Sequence, residues 1–230
     1  MGSTETGNRI AQRAAGKTLL LEMGGNGPLV VLEGADLDAA AEAAISACFL
    51  CAGQSCTAGE RLLMQEPVRE EFVERLAARV ASKMDEHVRD AVDRGARVVA
   101  GGSRADGFAT DLYWSATVLD GVPDDAEVAL EETFGPIAPI VSVESLDHAI
   151  ELTNASPYGL LAAVFTGDVM DGLRYADGVK TGLVNINETT NYWENHLPFG
   201  GRAGTDSGTG RVGGRHAIER LTELQTIVIG

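Results

Sequence analysis

Aromatic side chains make up only 5% of this chain, lysine is scarce, and no apolar run approaches the length of a membrane span. Each shortage closes a class of explanation. A bilayer-crossing helix needs about 20 consecutive apolar residues, and the N-terminus carries no apolar secretory core. Basic residues number 18 against 34 acidic ones, for a formal charge of −16. Nucleic acid and anionic membranes would repel such a chain. Screening in a salty cytoplasm is one setting that would relieve its self-repulsion. Cysteine is limited to Cys48, Cys51 and Cys56, an odd number in one stretch, which fits a reducing compartment rather than a secreted disulfide framework. Cys48 and Cys51 have half the spacing of a zinc site, but no second pair or nearby histidine completes it. Both are expected to pack on a helix. His87, His148, His196 and His216 likewise lack metal or triad spacing. The expectation is a soluble, cytoplasmic protein with no metal, nucleic-acid or membrane partner.

What is present suffices for one good-sized core: 230 residues, 44% of them hydrophobic. Apolar runs at Leu19–Leu21, Leu29–Leu32, 61–65, 97–100, 136–143, 161–165 and 182–187 read as strands. Between them lie helical patterns, beginning with a short one over 8–15 and one capped by Asp36. Such alternation predicts an α/β fold, a largely parallel sheet with helices on both faces. From Phe72 through Leu76, Val80, Met84, Val88 and Val92 the apolar positions recur every four residues, so periodicity alone predicts one helix to about Arg94. A helix over 215–224 and a strand over 226–229 close the chain.

Two stretches carry chemistry. Cys56 sits in a Gly53-Gln54-Ser55-Cys56 turn after a small-residue helix, where surrounding backbone N–H groups could ionise the thiol into a nucleophile. Glu22 ends the apolar run Leu19-Leu20-Leu21, and an acid buried there should have a raised pKa, in the range of a general base. Gly24 and Gly25 follow it, allowing a ligand or another backbone to come close.

Together Leu21-Glu22-Met23-Gly24-Gly25 and Phe49 to Glu60 resemble the glutamate and cysteine motifs of the aldehyde dehydrogenase superfamily. Glu131-Glu132-Thr133-Phe134-Gly135-Pro136 and Leu197-Pro198-Phe199-Gly200-Gly201 extend the likeness, in the family's order. Gly2-Ser3-Thr4-Glu5-Thr6-Gly7 is similar to the turn on which family members rest the cofactor pyrophosphate, and Ser207-Gly208-Thr209-Gly210-Arg211 to a later glycine-rich stretch.

The resemblance implies oxidation of an aldehyde to a carboxylic acid through a thiohemiacetal and thioester on Cys56, with Glu22 activating the hydrolytic water and NAD or NADP taking hydride. It implies cofactor contacts at Gly2, Ser3, Gly7, Met23, Gly24, Glu132 and Phe134. It also implies a small-molecule aldehyde substrate, and a homo-oligomer formed through the C-terminal strand. The motif at Asn191-Tyr192-Trp193-Glu194-Asn195 is expected to line the aldehyde entrance.

By the same comparison residues 1–22 form a remnant of a dinucleotide-binding domain, 23–214 the catalytic domain, and 215–230 a C-terminal helix and strand. The chain matches the family's catalytic half, N-terminally truncated, with an internal deletion near Met84-Asp85; Val68 to Lys83 resembles one family helix and Asp85 to Gly95 a later one, either fused into one or meeting in a sharp bend at Met84-Asp85. The alternative is a fragment inactive as an oxidoreductase, serving as an oligomerisation or regulatory chain with residual Cys56-dependent esterase activity.

Overall fold

The computed structural model describes residues 1–77, 85–107 and 113–229. In chain order the elements are α1 Thr4–Arg13, β1 Leu21–Glu22, β2 Gly27–Val31, α2 Leu37–Phe49, β3 Gly59–Gln65, α3 Glu66–Ala77, α4 Asp85–Asp93, β4 Arg97–Ala100 and β5 Thr117–Asp120. There follow α5 Glu127–Leu130, β6 Ile137–Val143, α6 Leu146–Ala155, β7 Leu161–Phe165, α7 Val169–Gly178, β8 Leu183–Ile186, β9 Gly208–Thr209 and α8 Gly214–Leu221.

Seven strands make the main sheet in the order β4-β5-β6-β3-β2-β7-β8. Every neighbouring pair is parallel except β4 with β5, so the predicted α/β class and largely parallel sheet are what the chain forms. Alternation along the strands divides the core in two, because successive side chains leave a strand on opposite faces. Val30, Leu63, Val141 and Val164 pack with Val88 and Ala91 of α4 and Tyr175 of α7. Leu29, Leu62, Met64 and Ile140 pack with Ala40 and Ala44 of α2 and Phe72 and Leu76 of α3.

That division overturns the single helix predicted to Arg94. Its first part, α3, buries its stripe on one face of the sheet, and its last part, α4, on the other. A straight rod cannot do both. The Met84-Asp85 junction, where an internal deletion is expected, lies at the edge of the undescribed residues 78–84.

Caps explain several helix starts. The Asp36 carboxylate accepts from the N–H groups of Asp38 and Ala39 at 3.1 Å, and the Ser145 hydroxyl from His148 at 3.2 Å. Helix α1 starts earlier than the pattern suggested: Ser3 caps it and Gly7 lies inside it. A β-carbon on Gly7 would stand 2.0 Å from the Met23 sulfur, so this glycine is needed for close packing rather than for a turn.

The short strand predicted over Leu19–Leu21 is displaced to β1, which pairs antiparallel with β9 through Leu21–Thr209 and Glu22–Gly208. The predicted strand over 226–229 is not formed. Ile227, Val228 and Ile229 are 75%, 87% and 90% exposed, with no neighbouring strand to satisfy their backbone. Cys51 also departs from expectation: it is exposed, in a left-handed turn with φ of 52°. Cys48 is buried as expected and donates to the Gly59 carbonyl at 2.9 Å. No helix among the described residues is long and apolar enough to cross a membrane.

Candidate active site

Three loops meet because three strands are neighbours. Gly24-Gly25 immediately precedes β2, Cys56 precedes β3, and Glu132 to Pro136 precedes β6. These strands lie side by side and parallel, in the order β6-β3-β2, so their amino ends deliver all three loops to one edge. Ligands of open α/β sheets usually gather at the carboxyl ends instead.

The contacts between the loops are tight. A β-carbon on Gly25 would lie 2.1 Å from the Cys56 carbonyl oxygen, and one on Gly53 2.3 Å from the Gly135 carbonyl carbon. Only glycine lets these backbones approach so closely. Glu132 Oε1 accepts from the Gly25 N–H at 2.8 Å, tying the third loop to the first. Phe134 holds φ of 49°, a left-handed conformation that costs a bulky residue on the order of 1–3 kcal/mol. The Glu60 carboxylate holds it there, accepting from the N–H groups of Thr133 at 2.5 Å and Phe134 at 2.9 Å. His87 Nδ1 bonds the Thr133 hydroxyl at 2.9 Å from the other side.

Glu22 lies at the centre, 7% exposed, and neither carboxylate oxygen has a hydrogen-bond partner. Burial pushes it up to about 7, against the pull of the N-terminal ammonium and of Arg211. The raised acid expected from sequence is therefore present. The ionised thiol is not: burial, then the charges of Glu22 and Glu132, push Cys56 above its ordinary value, and its own backbone N–H only partly offsets them. Burial also raises Glu132, and raises Glu60 to about 8 despite two N–H donors that favour its charged form. A thiol ringed by carboxylates is protonated at neutral pH, so a base has to take its proton before it can attack.

Two cavities open on this pair. The first, about 650 Å³, is lined by Gly2, Ser3, Glu22, Met23, Gly24, Cys56, Glu132 and Phe134. Six of the seven residues expected to contact a cofactor thus share one space with Cys56 and Glu22. The seventh, Gly7, lies buried beneath Met23. The second cavity, about 470 Å³, is lined by Leu20, Thr57, Asn191, Trp193, Phe199 and Val212, and again by Glu22 and Cys56. The later motifs close around it: Phe199 pairs with Val212, and the Met23 N–H donates to the Ser207 carbonyl at 3.3 Å. Among the described residues no cluster of His, Cys, Asp or Glu could hold a metal.

The model of the aldehyde dehydrogenase family matches residues 1–83 and 78–227. The chain belongs to the aldehyde dehydrogenase family. It is 38% identical to a salicylaldehyde dehydrogenase of Pseudomonas putida over 99% of this chain and 51% of that protein. It is 34% identical to a probable succinate-semialdehyde dehydrogenase [NADP(+)] of Sinorhizobium fredii over 100% and 51%. Among solved structures it superposes on an NAD-dependent aldehyde dehydrogenase from Sinorhizobium meliloti with a TM-score of 0.87 and 32% identity, covering 95% of this chain and 48% of that one. The chain spans about half the length of the relatives it matches.

Sequence reasoning missed Glu60, which it read only as the last letter of the cysteine motif. A signal was available: Glu60-Arg61 directly precedes Leu62-Leu63-Met64, and a charged pair running into a buried strand must find partners. Arg61 finds the carbonyls of Asn26 and Leu152.

Proposed function

We propose that this chain is the catalytic half of an enzyme that oxidises an aldehyde to a carboxylic acid, with NAD or NADP as oxidant. The observation that carries the reading is that Cys56 and Glu22 line both cavities, so one thiol and one acid stand between a space for cofactor and a space for substrate.

Cys56 adds to the aldehyde carbonyl after its proton passes to solvent base through the open cavity, and the oxygen anion that forms is met by the Cys56 backbone N–H. A nicotinamide held beside Glu132 and Phe134 would supply the two-electron acceptor this adduct needs to become a thioester. Glu22, with no hydrogen bond to hold it and a pKa near neutrality, takes a proton from the water that hydrolyses the thioester. The residues present suit the nicotinamide end of such a cofactor. Glu132 keeps Oε2 unspent for a ribose hydroxyl, and the half-exposed Phe134 ring borders the cavity.

In the same reading residues 1–22 are a remnant of a dinucleotide-binding domain, 23–214 the catalytic domain and 215–230 a C-terminal extension. Arg220 supports a link between the first and last of these, donating twice to the Leu19 carbonyl. A homo-oligomer forms where a second copy pairs with 226–229, supported by the exposed apolar side chains there. A cytoplasmic location belongs to the same proposal, supported by three unpaired cysteines.

Titrating NAD and NADP against a panel of aldehydes, followed by the absorbance of reduced nicotinamide, tests the function. Turnover that disappears in Cys56→Ser supports it. No turnover under any pairing, or turnover that survives the substitution, counts against it.

A further inference from the structure

The second cavity differs from the first in what its walls have left to offer. Its polar side chains are already committed. The Thr57 hydroxyl donates to Asn191 Oδ1 at 2.6 Å, Asn191 Nδ2 donates to the Ser46 carbonyl at 2.5 Å, and Trp193 Nε1 donates to the Leu197 carbonyl at 3.1 Å. Among these side chains only the second Nδ2 hydrogen of Asn191 is left to solvate an anion.

Charge points the same way. The Glu22 carboxylate lines the cavity. Arg211 is not part of the wall, and its Nη1 donates to the carbonyls of Gly201 and Gly210. The cation that does border the space, the N-terminal ammonium of Met1, acts on Glu22. What the walls present is apolar and aromatic: Leu20, Val212, and the Trp193 and Phe199 rings, tilted 55° to one another with centroids 5.3 Å apart. Two rings so inclined form a corner in which a third ring meets one face and one edge, the arrangements aromatic pairs prefer.

We infer that this cavity takes the ring of a neutral aromatic aldehyde and disfavours an aldehyde whose far end is a carboxylate. The inference rests on the proposed role of Cys56 as the group that meets the aldehyde. It names the substrate class for that site. An ω-carboxylate in this space would exchange its water for largely apolar walls and the Glu22 carboxylate, with one side-chain N–H of Asn191 left to meet it.

The test needs no cofactor and no turnover. The 230-residue chain is treated with iodoacetamide, and alkylation of each cysteine is followed by mass spectrometry in the presence of benzaldehyde, hexanal or 4-oxobutanoate. Cys51, exposed and outside both cavities, is the internal control and should be alkylated equally throughout. Benzaldehyde should protect Cys56 at a concentration roughly tenfold or more below that of 4-oxobutanoate, the ratio one unmet polar group typically produces. Trp193→Ala should weaken protection by benzaldehyde, and Trp193→Phe should restore most of it, with circular dichroism confirming that both variants fold. Equal or better protection by 4-oxobutanoate or by hexanal overturns the inference, as does protection by none of the three. If the ordered protection is found but no reduced nicotinamide ever forms, the proposed oxidation fails while the substrate class stands.

Discussion

Replacing Glu22 by Gln should shift the balance of stability toward the variant as pH rises from acid to alkali. In the folded state the carboxyl is raised to about 7 from an ordinary 4.5. The folded state therefore holds this proton more firmly than the unfolded chain does. The associated stability is complete below 4.5, where both states are protonated, and is lost as pH rises through about 7. Linkage over that shift, taken from about pH 5 to about pH 8, comes to about 2.5 kcal/mol. The glutamine carries its own fixed cost, since its amide meets no listener where the carboxylate had none. That cost is the same at both pH values and cancels in the difference. Glu60 and Glu132 titrate in both proteins and cancel likewise. Urea unfolding of wild type and variant at the two pH values gives the quantity directly: the variant should gain about 2.5 kcal/mol on wild type between acid and alkali. A variant that instead loses ground at alkaline pH would mean that the N-terminal ammonium and Arg211 outweigh burial, and the account of Glu22 as a raised base would be wrong.

Other perturbations have equally defined outcomes. Gly25→Ala forces a β-carbon against the Cys56 carbonyl oxygen, so thermal unfolding should show a loss of about 1–3 kcal/mol and alkylation of Cys56 should change rate. An unchanged melting curve would show that the loops are not in contact. Glu60→Ala strips two acceptors from the Thr133 and Phe134 N–H groups at a cost of about 1–3 kcal/mol each. Hydrogen exchange at those two amides should speed up, and protection as in wild type would remove Glu60 from the support of the loop. Deleting residues 224–229 should lower the oligomer order seen by sedimentation; an unchanged state would exclude the tail as the interface.

The pairing of Glu22 with Cys56 in one space was legible in sequence where a short motif forces both residue type and backbone. Glu22 before two glycines and Cys56 after Gly53 needed no long-range information to be singled out, and their strands then placed them together. Glu60 was hidden because an acid in a loop reads as solvated until the backbone of Thr133 and Phe134 arrives from more than seventy residues away. The thiol was misjudged for the same reason: local N–H groups are visible in the sequence, but the burial that chiefly opposes ionisation, and the two carboxylates that add to it from β1 and from the loop before β6, come from the fold.

Periodicity failed at 68–94 because it reports that a stripe is apolar, not which face of the sheet receives it. Gly7 argues against a helix by propensity, yet its contact with Met23 requires a residue without a side chain at that point of α1. The β-branched run at 226–229 has the composition of a strand and lacks the partner that would make it one.

The central claim is that one thiol and one acid act in sequence on the same carbonyl carbon. Stopped-flow hydrolysis of p-nitrophenyl acetate measures both steps without cofactor: a burst reports acylation of Cys56, and the following steady state reports the water attack that Glu22 assists. The account predicts no burst in Cys56→Ser, and in Glu22→Gln a burst that persists with a steady state slowed by roughly a hundredfold, within the range typical for loss of a general base. A burst that survives removal of the thiol, or a steady state untouched by removal of the acid, would contradict it.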